Sequence, residues 1–186
     1  MTSDITLAQR YTISGTGTID LAGYKITLSS VQTNDTSDDN KDDARILITG
    51  DVTIKGTTGS IEKTTAYKDG AVLEESSAVN VVGEDALLTL ESGKISCTST
   101  LGYGIYARNG GDVTVNGGTV IGNASAMSGN NTEATCNFTI NGGTITSMKA
   151  VAVYFPANGK LSVTGGTFNG TGGFDIREGT ASISNA

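Results

Sequence analysis

The chain has 186 residues, enough for one domain, and a skewed composition: 26 Gly, a single Pro, no Trp and no His. A formal net charge of −7 argues against the basic footprint that nucleic-acid binding needs, and no apolar run approaches the ~18 residues of a membrane-spanning helix. Plentiful Thr, Val and Gly favour strands joined by tight corners, so an all-β chain is expected.

From the N-terminus, "MTSDITLAQR" (1–10) lacks a charged segment followed by an apolar one, so no secretory leader is expected there. "YTISGTGTI" (11–19) reads apolar–Thr–apolar and then Gly, a pattern that returns in "VTIKGTTGSI" (52–61). Each reads as a strand, a Gly corner and the start of the next strand. Between them, "VQTNDTSDDNKDDAR" (31–45) is polar, acidic and aperiodic, and reads as a loop bulging from the body. Its Asp35, Asp38, Asp39, Asp42 and Asp43 are hard oxygen donors of the kind Ca²⁺ takes. Their spacing fits neither an EF-hand nor a nonapeptide Ca²⁺ roll, so a solvated charge run is expected, without metal or other cofactor. A second insertion covers roughly 62–76.

The pattern then becomes regular. "LTLESGKI" (88–95), "VTVNGGTV" (113–120), "FTINGGTI" (138–145) and "LSVTGGTF" (161–168) align with Gly93, Gly118, Gly143 and Gly166 in one column, 25, 25 and 23 residues apart. Apolar, hydroxyl and apolar columns flank the corner, which is the period-two alternation of strands. Further apolar segments, such as "SAVNVVG" (77–83), "GYGIYA" (102–107), "AVAVYF" (150–155) and "GFDIRE" (173–178), precede each motif. A repeat of 23–25 residues holds three short strands and three corners, one coil of a parallel β-helix. The expected fold is therefore an all-β, single-stranded, right-handed parallel β-helix (β-solenoid) of about six to seven coils, one domain over 1–186. Asn116 over Asn141 makes a corner ladder, and "TASISNA" (180–186) begins a coil without a cap, which implies a longer chain or a covering partner. Cys97 and Cys136 fall at non-equivalent points of the repeat and read as small buried side chains rather than a bridge.

With these columns aligned, the chain resembles the pectin-lyase-like right-handed parallel β-helix group. "GTIDLAGYKITL" (17–28) followed by serial "NGGT" units is similar to repeat regions of surface proteins of gut Firmicutes and of fibre-like virion proteins of their phages. The resemblance implies a structural or adhesive module on a virion or bacterial surface, homo-oligomeric and trimeric in such fibres, with a glycan receptor. Binding would use outward side chains such as Tyr103, Tyr106 and Tyr154, for which ordinary lateral packing is the simpler reading. Enzymes of this fold cleave acidic polysaccharides as hydrolases or lyases. The local set for such chemistry is Asp175, Arg177 and Glu178, which alternation places on an outer edge as a salt-bridged cluster. The His of the hydrolase members has no counterpart here, and an anionic protein suits a polyanionic substrate poorly. A non-catalytic module is the expected function, with a polysaccharide lyase or glycoside hydrolase as the alternative.

Overall fold

A computed structural model describes residues 1–29, 44–65, 68–69, 72–73, 76–130 and 135–186. Among them there is no helix; strands form three seven-stranded sheets, each with parallel neighbours, plus a small antiparallel pair of Lys68–Asp69 with Val72–Leu73. The first sheet holds Ile5–Leu7, Lys25–Leu28, Ser60–Lys63, Lys94–Cys97, Thr119–Gly122, Thr144–Ser147 and Thr167–Asn169. The second holds Tyr11–Ile13, Ile46–Ile48, Ser76–Val82, Gly102–Arg108, Met127–Asn130, Val151–Phe155 and Gly172–Ile176. The third holds Gly17–Asp20, Asp51–Lys55, Leu87–Leu90, Asp112–Val115, Phe138–Ile140, Lys160–Val163 and Thr180–Ile183. The chain enters the three sheets in that order and returns to the first, so the architecture is a parallel β-solenoid.

Each inward position becomes a column through the stack. In the third sheet one column reads Val52, Leu88, Val113, Phe138 and Leu161, and the next reads Ile19, Ile54, Leu90, Val115, Ile140, Val163 and Ile183. The inner members are fully buried, each contributing about 1.5–3 kcal/mol of transfer free energy. Phe138 crosses the interior to meet Phe155 of the second sheet edge-on, with ring centroids 5.3 Å apart. Cys97 and Cys136 form no disulfide with each other and are buried in this interior, where Cys97 Sγ lies 3.1 Å from Ser99 Oγ and burial raises the Cys136 thiol pKa.

The paired glycines have separate jobs. At Gly118 and Gly143 φ is +78° and +90°, which β-branched residues avoid. At Gly117 and Gly142 a Cβ would press to 2.7 Å from Glu91 O and 2.8 Å from Asn116 O, so the first glycine permits the close approach of one corner to the next.

At this corner the outward row is a hydrogen-bonded chain. Asn116 Nδ2 donates to Glu91 Oε1 at 2.8 Å, Asn141 Nδ2 donates to Asn116 Oδ1 at 2.8 Å, and Thr164 Oγ1 donates to Asn141 Oδ1 at 2.9 Å. The row starts at the Lys55–Asp20 ion pair (3.5 Å) and ends at Ser184. Asp112 also has a stacking role: Asn137 donates to it from its backbone N (2.8 Å) and from Nδ2 (3.1 Å).

Three expectations need correction. "YTISGTGTI" does not repeat the third-to-first-sheet corner; Tyr11–Ile13 lies in the second sheet and Gly17–Asp20 in the third. The true equivalent of "VTIKGTTGSI" is "GTIDLAGYKITL", since Ile19 pairs with Ile54 and Ile26 with Ile61. The shift arose because apolar–Thr–apolar occurs in both strands. Within the insertion expected at 62–76, Glu62 and Lys63 belong to a first-sheet strand and Ser76 opens a second-sheet strand. Ala44 and Arg45 of the expected 31–45 loop are buried, and the acidic residues before them lie outside the described residues.

Candidate functional site on the outer face of the second sheet

The second sheet departs from strict alternation. Its strands carry two consecutive inward residues, a small one and then a larger one: Ala78–Val79, Gly104–Ile105 and Ala152–Val153. The strand bends there, and the ladder between Ser76–Val82 and Gly102–Arg108 skips the Ala78–Gly104 pair. Outward side chains three residues apart then converge instead of diverging. Ser77 Oγ donates to Asn80 Oδ1 across the bend, and in the next strand Tyr103 and Tyr106 stack with centroids 5.2 Å apart and planes 11° from parallel. A crease running along the solenoid results.

One outward row follows this crease: Thr12, Leu47, Asn80, Tyr106, Ser128, Tyr154 and Asp175 are successive register partners. The three sequence-predicted tyrosines are therefore on one face, with Tyr106 and Tyr154 in one row and Tyr103 stacked on Tyr106. Ser128 lies between Tyr106 and Tyr154 in the row and Asn80 between Leu47 and Tyr106; they are 1% and 3% exposed, whereas the tyrosines are half-buried. Asp175 joins the same row beside Tyr154. Arg108 leaves the strand that carries Tyr103 and Tyr106, and its Nε is buried without a partner among the described residues.

Asp175 and Arg177 form a two-pronged pair, Nε to Oδ1 at 2.7 Å and Nη2 to Oδ2 at 2.8 Å. The hydrogen bonds from Arg177 hold Asp175 below the usual carboxylate range, and Asp175 in turn raises the guanidinium. Glu178 is exposed beyond the strand end and has no described contact with the pair. Asp35, Asp38, Asp39, Asp42 and Asp43 lie outside the described residues, and among the described residues no group of three or more His, Cys, Asp or Glu is placed to hold a metal.

Such a surface offers the rings and phenolic hydroxyls of half-buried tyrosines, over an amide and a hydroxyl that are themselves buried, a set suited to a ligand with apolar faces and polar edges. Sequence reasoning missed Ser77, Asn80 and Ser128. The signal available was the small-then-large inward pair, a break in period two that marks a bend. Comparison with family models, curated proteins and solved structures returns no match to this chain.

Proposed function

We propose that this chain is a non-catalytic structural and adhesive module: a right-handed parallel β-helix of seven coils with a pectin-lyase-like architecture, displayed on a virion or bacterial surface and binding glycan through the crease of its second sheet. The right hand follows from the strong preference of parallel strand connections for that sense. The observation that carries the reading is the row of Asn80, Tyr106, Ser128 and Tyr154, with Tyr103 stacked beside it, on a bent outer face. Sugar rings present C–H faces to aromatic planes and hydroxyls to amide and hydroxyl groups, so alternating rings and small polar groups suit them.

The Asp175–Arg177 pair supports binding over cleavage. A lyase base must give up its proton, and a guanidinium held by a carboxylate is a poorer base than a free one. A hydrolase needs two carboxyls facing each other across the bond, one of them protonated, whereas Asp175 is held ionised.

A glycan array with the purified chain tests the reading. Binding that is lost in Tyr106→Ala and Tyr154→Ala, with the circular dichroism of the folded chain retained, is expected. Absence of any glycan signal, or release of unsaturated or reducing ends from a bound polysaccharide, would overturn it.

A further inference from the structure

The corners of the solenoid carry five Asn–Gly steps, at 109–110, 116–117, 141–142, 158–159 and 169–170. Such a step is prone to cyclise, because no side chain on the glycine hinders its nitrogen from approaching the asparagine side chain. The nitrogen attacks the asparagine Cγ and ammonia leaves, which closes a five-membered succinimide. Water then opens either carbonyl of that ring, to aspartate or to isoaspartate. One amide and one water become one carboxylic acid and one ammonia, so water is the sole co-reactant.

What separates these steps is how the asparagine is held. Asn116, Asn141 and Asn158 are all exposed, so water reaches each of them. Asn116 Nδ2 donates to Glu91 and its Oδ1 accepts from Asn141, whose own Oδ1 accepts from Thr164. Either side chain must leave both of its bonds to bring Cγ onto the following nitrogen. Gly117 N is also tied to Leu90 O of the preceding coil, at 3.3 Å. Asn169 keeps one bond, to Thr146 Oγ1 at 3.3 Å, and Asn109 sits in the left-handed region with contacts of its own. The Asn158 side chain makes no hydrogen bond among the described residues.

We propose that Asn158–Gly159, in the corner between Val151–Phe155 and Lys160–Val163, is a self-modification site, and that the Glu91–Asn116–Asn141–Thr164 chain shields the steps at Asn116 and Asn141. Packing requires the glycine: a Cβ at 159 would collide with Cys136 O of the preceding coil. The least hindered nitrogen therefore follows the least restrained asparagine. Gly159 N donates back across that asparagine to Ala157 O, at 3.0 Å, rather than to a neighbouring coil. Two hydrogen bonds of ordinary net strength slow a reaction that must break both by roughly thirtyfold. Conversion adds a negative charge, and in isoaspartate an extra backbone methylene, two residues before Lys160, whose N donates to Asn137 Oδ1 at 3.1 Å.

Peptide mass mapping of the folded chain during storage at mildly alkaline pH tests this, with isoaspartate quantified at each step. Asn158 is expected to convert roughly thirtyfold faster than Asn116 and Asn141. In denaturant the three steps are expected to convert at comparable rates, because folding alone separates them. Thr164→Val removes one of the two bonds on Asn141 and is expected to speed conversion there about fivefold, with Asn158 unchanged. A folded chain in which Asn158 converts no faster than Asn116 and Asn141 would overturn the proposal. So would a rate order that persists in denaturant, or an Asn141 rate that Thr164→Val leaves unmoved. Misfolding of that variant shows in its circular dichroism, and Glu91→Ala, read at Asn116, then serves in its place.

Discussion

The outer faces of the third and second sheets rest on equivalent parallel ladders and use them differently. Across the third sheet the central outward row is Thr18, Thr53, Thr89, Thr114, Thr139, Ser162 and Ser182, a hydroxyl at every rung. Beside it the Glu91–Asn116–Asn141–Thr164 chain satisfies each rung from the one before. Across the second sheet the corresponding row changes chemistry at every step, from Leu47 through Asn80, Tyr106, Ser128 and Tyr154 to Asp175. A row of like residues is accounted for by stacking alone, since each side chain serves its neighbours. A row of unlike residues is not: Asn80 and Ser128 are buried in it, while Tyr106 and Tyr154 are half-buried and reach the surface. The bend reinforces the contrast, because it gathers side chains into a crease where the third sheet keeps them apart.

Both faces depend on one interior, and Phe138 is where that dependence is greatest, since it joins a third-sheet column to Phe155 of the second sheet. Phe138→Ala is expected to lower unfolding free energy by about 3–5 kcal/mol. Denaturant unfolding should remain a single transition by circular dichroism and by tyrosine fluorescence, which the second sheet dominates in a chain without Trp. Two separated transitions would show that the two faces belong to independently folding units.

The stack was legible in the sequence from Gly118 and Gly143 and from the columns around them, because the third sheet obeys period two and its corners need glycine. The N-terminal register was not legible, since "YTI" and "GTID" carry the same alternation and only the pairing of Ile19 with Ile54 decides between them. The strand Met127–Asn130 escaped for a related reason: "MSGN" has one large apolar residue, and its place is set by Ile105 beneath and Val153 above. The tyrosines could be picked out as outward aromatics. Their assembly with Asn80 and Ser128 could not, because it depends on a bend that a period-two reading erases.

The next largest effects separate recognition from stability. Tyr106→Ala removes one ring of the Tyr103 stack, which is expected to cost about 0.5–1.5 kcal/mol, and to abolish glycan binding. Asn141→Ala breaks two rungs of the third-sheet corner at once and is expected to cost about 1 kcal/mol, yet to leave glycan binding intact. Isothermal binding to the array hit, run beside thermal melts of both variants, makes the test. Equal loss of binding in the two variants would erase the distinction between the faces.

The smallest effect comes from acid. The corner row of the third sheet runs through two amides that do not titrate, whereas the first sheet beside it carries Glu62, 2.5 Å from Lys94. The hydrogen bond from Lys94 holds the Glu62 carboxyl below the usual range, against the opposing pull of burial. A carboxylate whose folded pKa is depressed adds stability that is present above its unfolded pKa, about 4.3, and that disappears as pH falls through the folded value. Both partners are partly exposed, so the contribution is a few tenths of a kcal/mol. Melting temperature should therefore fall as pH drops below about 4.3. Glu62→Gln should lower it slightly at neutral pH and flatten part of the acid dependence, while Asn141→Ala, which loses only its bonds with Asn116 and Thr164, should lower it without changing the slope. An acid slope unchanged in Glu62→Gln would assign the acid sensitivity to other carboxylates, of which Asp175 on the second sheet is the next to substitute, since Arg177 depresses it in the same direction.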